Sequence, residues 1–154
     1  MSAPLPPSLH FAFEARVACA PALRIGRGER EEVWFTPITG GTVEGPRLRG
    51  TVLPHGGDWS VTRANGTELD ARYLLQADDG AVVDIRNRGF WVSTPEVEAR
   101  VDAGDPVDES EFYYRTSAQF QTDAPQHEWL TRTVVVGVAR PEPGFVCIRF
   151  HELA

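Results

Sequence analysis

Between Leu69 and Gly89 the sequence reads LDARYLLQADDGAVVDIRNRG, and its side chains alternate with a period of two on both sides of a tight turn. Such alternation is the signature of a half-buried strand, and two such runs around a Gly-containing turn make a hairpin. Asp78-Asp79-Gly80 suits a three-residue loop with Gly80 in the left-handed conformation of a bulge. Ala77 then faces Ala81, Asp70 faces Arg88, Ala71 faces Asn87, Tyr73 faces Ile85 and Leu75 faces Val83. A one-residue slip would set charges beside aliphatics, so the register is specified. One face carries Asp70, Arg72, Asp84, Arg86 and Arg88. The other carries Leu69, Ala71, Tyr73, Leu75, Val83, Ile85 and Asn87. A cross-strand ion pair is worth ~0.2–1 kcal/mol, whereas each aliphatic buried contributes ~1.5–3 kcal/mol. Burial decides the direction: the face with Tyr73 and Asn87 turns inward, and its phenol and amide need partners.

The same alternation recurs along the chain. Leu9, Phe11 and Phe13 mark one face of a first strand; EEVWFTPITGGTVEG, RLRGTVL and DWSVTR follow, the last ending in an Asn65-Gly66 turn. Later strands are EFYYRTSAQF, RTVVVGVAR and GFVCIRFHE, with a short turn around HEWL. One helix stands out in STPEVEARVDAG: Thr94 is its N-cap, Pro95 its first residue, and Gly104 lies past its end. Eight or nine short strands with one helix describe a mainly β protein. Sheet edges are unstable, so the expectation is a closed antiparallel up-and-down β-barrel of about eight strands with one short helix. TVVVGVA is apolar on both faces, which asks for outside cover by the helix or by a homo-oligomer, a dimer or trimer. Residues 1–7 are expected to be a disordered lead and residues 8–154 one barrel domain.

Composition narrows the functions. The net charge is −7, which opposes binding to nucleic acid or an anionic membrane. All 15 basic residues are arginine, so lysine Schiff-base and P-loop chemistry are excluded. The N-terminus lacks a signal-peptide pattern and no apolar run reaches the ~20 residues of a membrane span, so a cytoplasmic protein is expected. Cys19 and Cys147 form no metal pattern, and His10, His55, His127 and His151 lack ligand spacing. First and last strands adjoin in a closed barrel, which would bring His10 to His151 and Cys19 to Cys147. No metal and no cofactor is expected. GRGER and GGTVEGPR lack phosphate-loop context and read as turns, and no GxSxG elbow occurs.

The stretches GGTVEGPRLRGTVLPHGGDW, ELDARYLLQADDGAVVDIRNRG, YYRTSAQFQT and EWLTRTVVVGVA, in this order, resemble domain-of-unknown-function family 3237 over roughly residues 8–152. The resemblance implies a closed barrel similar to that of allene oxide cyclase, a calycin-like architecture, with no settled activity. Its pattern carries over at Gly45-Pro46, Asp58-Trp59, Asp70, Arg72-Tyr73, Asn87, Gly89, Arg115 and Trp129-Leu130. The sequence departs from it at Gln121, Thr131 and His127, where Glu, Asn and an aromatic are usual. If those positions line the pocket, this chain takes a different ligand.

The candidate catalytic cluster is Asp58, Tyr73, Asn87 and Arg115. Trp59, Arg72, Trp91, Phe112, Phe120, His127 and Trp129 are candidate substrate-binding residues. A mostly apolar pocket with a few convergent polar groups is the common form of a small-molecule site. Asp58 among tryptophans would have a raised pKa and serve as general acid or base, unless Arg115 lowers it. Tyr73 and Asn87 would hold a carbonyl oxygen and Arg115 an anionic group. The plainer alternatives are that Asp58 caps the turn at His55-Gly56-Gly57, and that Arg72, Arg86 and Arg88 form a solvated outer face. Three functions follow: a cofactor-free isomerase, cyclase or lyase on a small, partly apolar carbonyl or aromatic metabolite; a non-catalytic small-molecule-binding protein; or a scaffold whose lumen is filled by its own side chains.

Overall fold

The computed structural model describes residues 1–154. In chain order it comprises β1 (Leu9–Cys19), β2 (Leu23–Arg27), β3 (Glu32–Glu44), β4 (Gly50–Val52), β5 (Gly56–Arg63), β6 (Gly66–Ala77), β7 (Val82–Val92), α1 (Pro95–Asp102), β8 (Tyr113–Gln121), β9 (Val135–Glu142) and β10 (Phe145–Leu153). Short 3-10 turns span Glu109–Glu111 and Pro125–Thr131. Every strand pairs antiparallel with its neighbours, and β1 pairs with both β10 and β3, so the sheet closes. The ten segments make eight staves. β1 and β2 are two halves of one stave along β3, and β4 and β5 are two halves of another between β3 and β6. Both breaks fall opposite the middle of β3, where Pro37 has no N–H to donate. There Ala20 N–H donates to Pro37 O at 3.0 Å, and His55 N–H to Ile38 O at 3.2 Å. Gly41, at φ +142°, bends β3 beneath β1: a Cβ there would lie 2.0 Å from Arg16 O. No helix is long and apolar enough to cross a membrane.

The β6–β7 hairpin has the expected register, with Asp70 opposite Arg88, Ala71 opposite Asn87, Tyr73 opposite Ile85 and Leu75 opposite Val83. Its turn closes with Gly80 at φ +91° and Ala77 N–H donating to Ala81 O at 2.8 Å. Helix α1 begins as expected, with Thr94 Oγ1 accepting from Val97 N–H at 3.3 Å. Glu98 latches the helix to the end of β7 by accepting from Trp91 Nε1 at 2.5 Å and Ser93 Oγ at 2.6 Å. After the helix, Glu109 pairs with Arg149 and Arg140 on the outside of β9 and β10. That cover stops short of Val134, which stays exposed, while Val136 and Val138 are half-buried.

Three local expectations are corrected. First, β1 carries a bulge between Phe11 and Phe13. Ala12 and Phe13 are both fully buried, whereas Phe11 is 44 % exposed beside the His151 ring and Leu9 also faces out. The extra residue reverses the face on which the period of two runs. Second, the β5–β6 turn is Ala64-Asn65, one residue earlier than expected, because Arg63 pairs with Gly66. Third, Cys19 and Cys147 lie on adjacent staves but on opposite faces of the wall: Cys19 faces the lumen with the directly paired Val17 and Val146, whereas Cys147 pairs with Arg16 on the outer face. His10 pairs with Glu152 rather than His151, and no three metal-ligating side chains converge.

One end of the lumen is packed solid. Phe13, Phe120 and Phe150 form a ring triad with centroids 4.9–6.1 Å apart, surrounded by Leu75, Val83, Ile85 and Leu130. Removing a buried aromatic ring leaves a cavity that costs about 3–5 kcal/mol, whereas surface changes stay within ~0.5 kcal/mol. Phe13→Ala should therefore lower the stability measured by urea denaturation by about 3–5 kcal/mol, and Phe11→Ala by less than about 1 kcal/mol. Equal losses would mean that the bulge does not set which ring enters the core.

Candidate functional site

The other end of the lumen is open space. A cavity of about 230 Å³ lies among Val17 and Cys19 of β1, Thr36 and Ile38 of β3, Asp58 and Ser60 of β5, Leu69, Ala71 and Tyr73 of β6, Asn87 of β7, Tyr114 and Thr116 of β8, and Val146 and Ile148 of β10. The sequence explains why side chains do not fill it. Asn87 sits between Ala71 on one neighbouring strand and Ala118 on the other; Thr116 sits between Gly89 and Gly137. A methyl group on Gly137 would come within 2.1 Å of Thr116 Oγ1. Small residues thus flank both Asn87 and Thr116 and leave them room.

Asp58 is the one ionisable carboxyl on this surface. Its Oδ1 accepts from the Asp70 N–H at 2.9 Å. The β5–β6 ladder explains how that N–H is free: pairing runs through Asp58 and Ala71 and resumes at Val61 and Glu68. The carboxylate stands in for the missing rung, so the turn-capping alternative does not describe it. Burial pushes Asp58 up from 3.8 to about 6; the Asp70 N–H works against this and the Asp70 charge adds to it. Cys19, lifted to about 11 by burial and then by Asp58, stays a thiol. Tyr73 and Tyr114 are held well above the usual phenol range, by burial first and by the Cys19 and Asp58 charges next.

Tyr73 and Asn87 are each only 3 % exposed, and Thr116 is buried with them. The Tyr73 hydroxyl, Asn87 Oδ1 and Thr116 Oγ1 have no hydrogen-bond partner in the protein. A buried polar group without a partner costs about 1–3 kcal/mol. Three of them around one cavity point to groups reserved for something that enters it.

Asp58, Tyr73 and Asn87 therefore share the cavity, but the other expected residues do not. Arg115 lies on the outer face of β8, where Nη1 donates to Tyr114 O at 3.0 Å and the guanidinium sits over the Tyr113 ring. Trp59 also points out, half exposed and stacked on Phe35. Arg72 forms a bidentate pair with Asp84 outside, and Arg86 does so with Asp70, while Arg88 approaches Asp70 only to 3.9 Å. The ladder of outer salt bridges is thus diagonal rather than straight across. Arg86 holds the Asp70 carboxyl below the usual carboxylate range. Trp91, the strand partner of Tyr114, meets its ring edge-on and stacks with Phe112; neither Trp91 nor Phe112 lines the cavity.

Phe120 belongs to the packed end. Trp129 lies there too, under Arg47, and His127 is buried with Nε2 2.8 Å from Asp79 Oδ2. Gln121 and Thr131 are likewise away from the cavity, so the departures from the family pattern do not touch its lining. The polar cavity residues missed from the sequence are Cys19, Thr36, Ser60, Tyr114 and Thr116. Alternation with Phe120 marks Thr116 and Tyr114 as inward, because both are an even number of residues from it.

Comparison with known proteins agrees with this architecture. The family model described as "Protein of unknown function (DUF3237)" matches residues 7–153. A UPF0311 protein of Rhodopseudomonas palustris, RPA1785, is 37% identical over 145 residues, 93% of each chain. Its crystal structure superposes with a TM-score of 0.91, covering 98% of this chain and 100% of that one. A β-barrel-like protein from Acinetobacter baumannii superposes with a TM-score of 0.86 at 31% identity, covering 100% of both chains. The hydroalkoxylation enzyme phnH of Penicillium herquei is 40% identical over 82 residues, 52% of this chain and 54% of its own. With the match running through all eight staves, the chain belongs to the DUF3237 family of closed β-barrel proteins.

Proposed function

We propose that this protein is a cofactor-independent isomerase, cyclase or lyase that binds a small, partly apolar carbonyl or aromatic metabolite in the lumen and moves a proton through Asp58. The observation that carries this reading is the meeting of a carboxyl raised to about 6 with unpartnered Tyr73 and Asn87 side chains around one cavity. A catalytic acid works best with a pKa near the working pH, and burial is the usual way to bring a carboxyl there. The aliphatic walls would hold the substrate folded, so that its reacting atoms meet. Tyr73 and Asn87 would orient its oxygen atoms.

The Penicillium herquei relative is named for hydroalkoxylation, the addition of an alcohol O–H across a carbon–carbon double bond. The same class of step fits the lumen of this chain. Protonated Asp58 would give its proton to one alkene carbon; a hydroxyl oxygen of the same molecule would bond to the other. That hydroxyl's proton would return to the Asp58 carboxylate, and the product would have the mass of the substrate. Stabilisation of the developing charge would fall to the nearby oxygen atoms and the phenol rings.

Two measurements test this. Small molecules recovered from the protein, identified by mass spectrometry and incubated with fresh protein, should convert to an isomer or cleavage product. Asp58→Asn should slow that conversion by roughly 10²-fold or more while still binding the compound. Recovery of the compound unchanged from both proteins would instead favour the non-catalytic binding protein. For an acid-initiated step the rate should fall as pH rises through about 6, because the protonated carboxyl is the active form.

The same shift has a stability consequence. A carboxyl raised in the folded state penalises folding once it ionises, so the penalty is absent below about pH 4 and complete above about pH 7. The stability of Asp58→Asn relative to the parent should therefore increase by a few kcal/mol between those limits, read by urea denaturation at each pH. A constant difference would mean that Asp58 titrates as an exposed carboxylate.

A further inference from the structure

We infer that the lumen selects an uncharged, oxygen-bearing ligand and discriminates against carboxylates and phosphates. This rests on the reading of the lumen as a ligand site and specifies what enters it.

The first argument is the inventory of charge. No arginine and no histidine lines the cavity, and the chain has no lysine. The arginines nearest in sequence all lie outside: Arg72 is held by Asp84, Arg86 by Asp70, and Arg115 by a main-chain oxygen beside the Tyr113 ring. The one carboxyl that reaches the space is Asp58, and its negative charge is already disfavoured there. An anionic ligand would enter a largely apolar space of about 230 Å³ with no counter-ion and a like charge beside it. Burying an unpaired carboxylate is among the most costly events in a protein interior. The site is built against it.

The second argument is the inventory of donors and acceptors. The Asn87 amide offers an acceptor oxygen and two N–H donors, and the hydroxyls of Tyr73 and Thr116 can each donate or accept, so together they accommodate carbonyl, ether and hydroxyl oxygens of a neutral ligand. Tyr73 and Asn87 are diagonal neighbours on adjacent strands, since Tyr73 pairs with Ile85, two residues before Asn87. Diagonal positions are about 7–8 Å apart, a span that one ring with oxygen atoms at opposite ends can bridge. Val17, Ile38, Leu69, Val146 and Ile148 would enclose the ring. The ligand so described is a neutral, oxygenated ring compound.

Three probes separate these terms: para-hydroxyacetophenone, para-methoxyacetophenone and para-hydroxybenzoate. Each is titrated at about pH 6.5, where the benzoate is ionised and the phenol is not. Binding is followed through the methyl resonances of Ile38 and Ile148, which report on the lumen itself. The two neutral ketones should bind; the benzoate should bind at least about tenfold more weakly. In Asp58→Asn, which removes the like charge, the benzoate should recover at least about threefold relative to the ketones. The wild-type series stands on its own if that variant folds poorly. Equal binding of the benzoate overturns the selection against charge. If no probe moves the lumen methyls, the lumen is not a ligand site and the proposed function falls with it.

Discussion

The hydrogen-bonded closure of the first stave onto the last makes everything else in this molecule possible. Through β1, which pairs with both β10 and β3, the sheet closes, and only the short β2 stays paired on one side. An open sheet of this length would expose two rows of unpaired backbone groups. Closure also fixes the circumference, and with it the volume that side chains must fill. Eight staves enclose just enough space for large side chains to meet across the axis. At one end Phe13, Phe120 and Phe150 do so. At the other the inward positions include Ala71, Gly89, Ala118 and Gly137, and the same wall encloses a cavity. The difference between core and site is thus one of side-chain volume on a common frame.

The frame was legible in the sequence because period two is a strong signal wherever one face is apolar. The Leu69–Gly89 hairpin shows this best: register, turn and facing direction all follow from burial outweighing ion pairs. The site was only partly legible, and parity is the reason. In an unbulged strand two residues share a face only when an even number of positions separates them. Arg115 and Phe120 are five apart and Asp58 and Trp59 are adjacent, so neither pair can look into one lumen. Placing Arg115 and Trp59 inside gave chemical attraction precedence over that rule. Where the rule itself misleads, at Phe11 and Phe13, a bulge has inserted one residue, and nothing in the local sequence announces it.

The two faces of the β5–β6 seam illustrate how one fold gives two aspartates opposite behaviour. Asp70 points outward between Arg86 and Arg88, and the guanidinium keeps it ionised. Asp58 points inward, where desolvation outweighs the hydrogen bond from the Asp70 N–H. The two are joined through a single backbone amide, at a gap in the ladder that a regular pairing would have closed. That gap ties the position of the inner carboxyl to the backbone of the outer ion-pair network. Environments that drive neighbouring carboxyls apart are a common way to assign one of them to proton transfer.

A lumen of this kind is costly for the fold that contains it. Tyr73, Asn87 and Thr116 leave three polar atoms unmatched, each opposing folding by about 1–3 kcal/mol. A barrel selected for stability alone would carry aliphatic residues at these positions, as it does around Leu75, Val83 and Ile85 on the same two strands. The contrast is internal to one hairpin: two residues along, from Leu75 to Tyr73 and from Ile85 to Asn87, the same inward face passes from full packing to unpartnered polarity. Strand geometry, burial and pairing are common to both halves, so they do not account for the change. What differs is the residue types: Asn87 and Thr116 have small residues on either side, and the cations are kept outside. A binding partner that supplies the missing hydrogen bonds would recover the lost stability, which links occupancy of the lumen directly to the folding equilibrium.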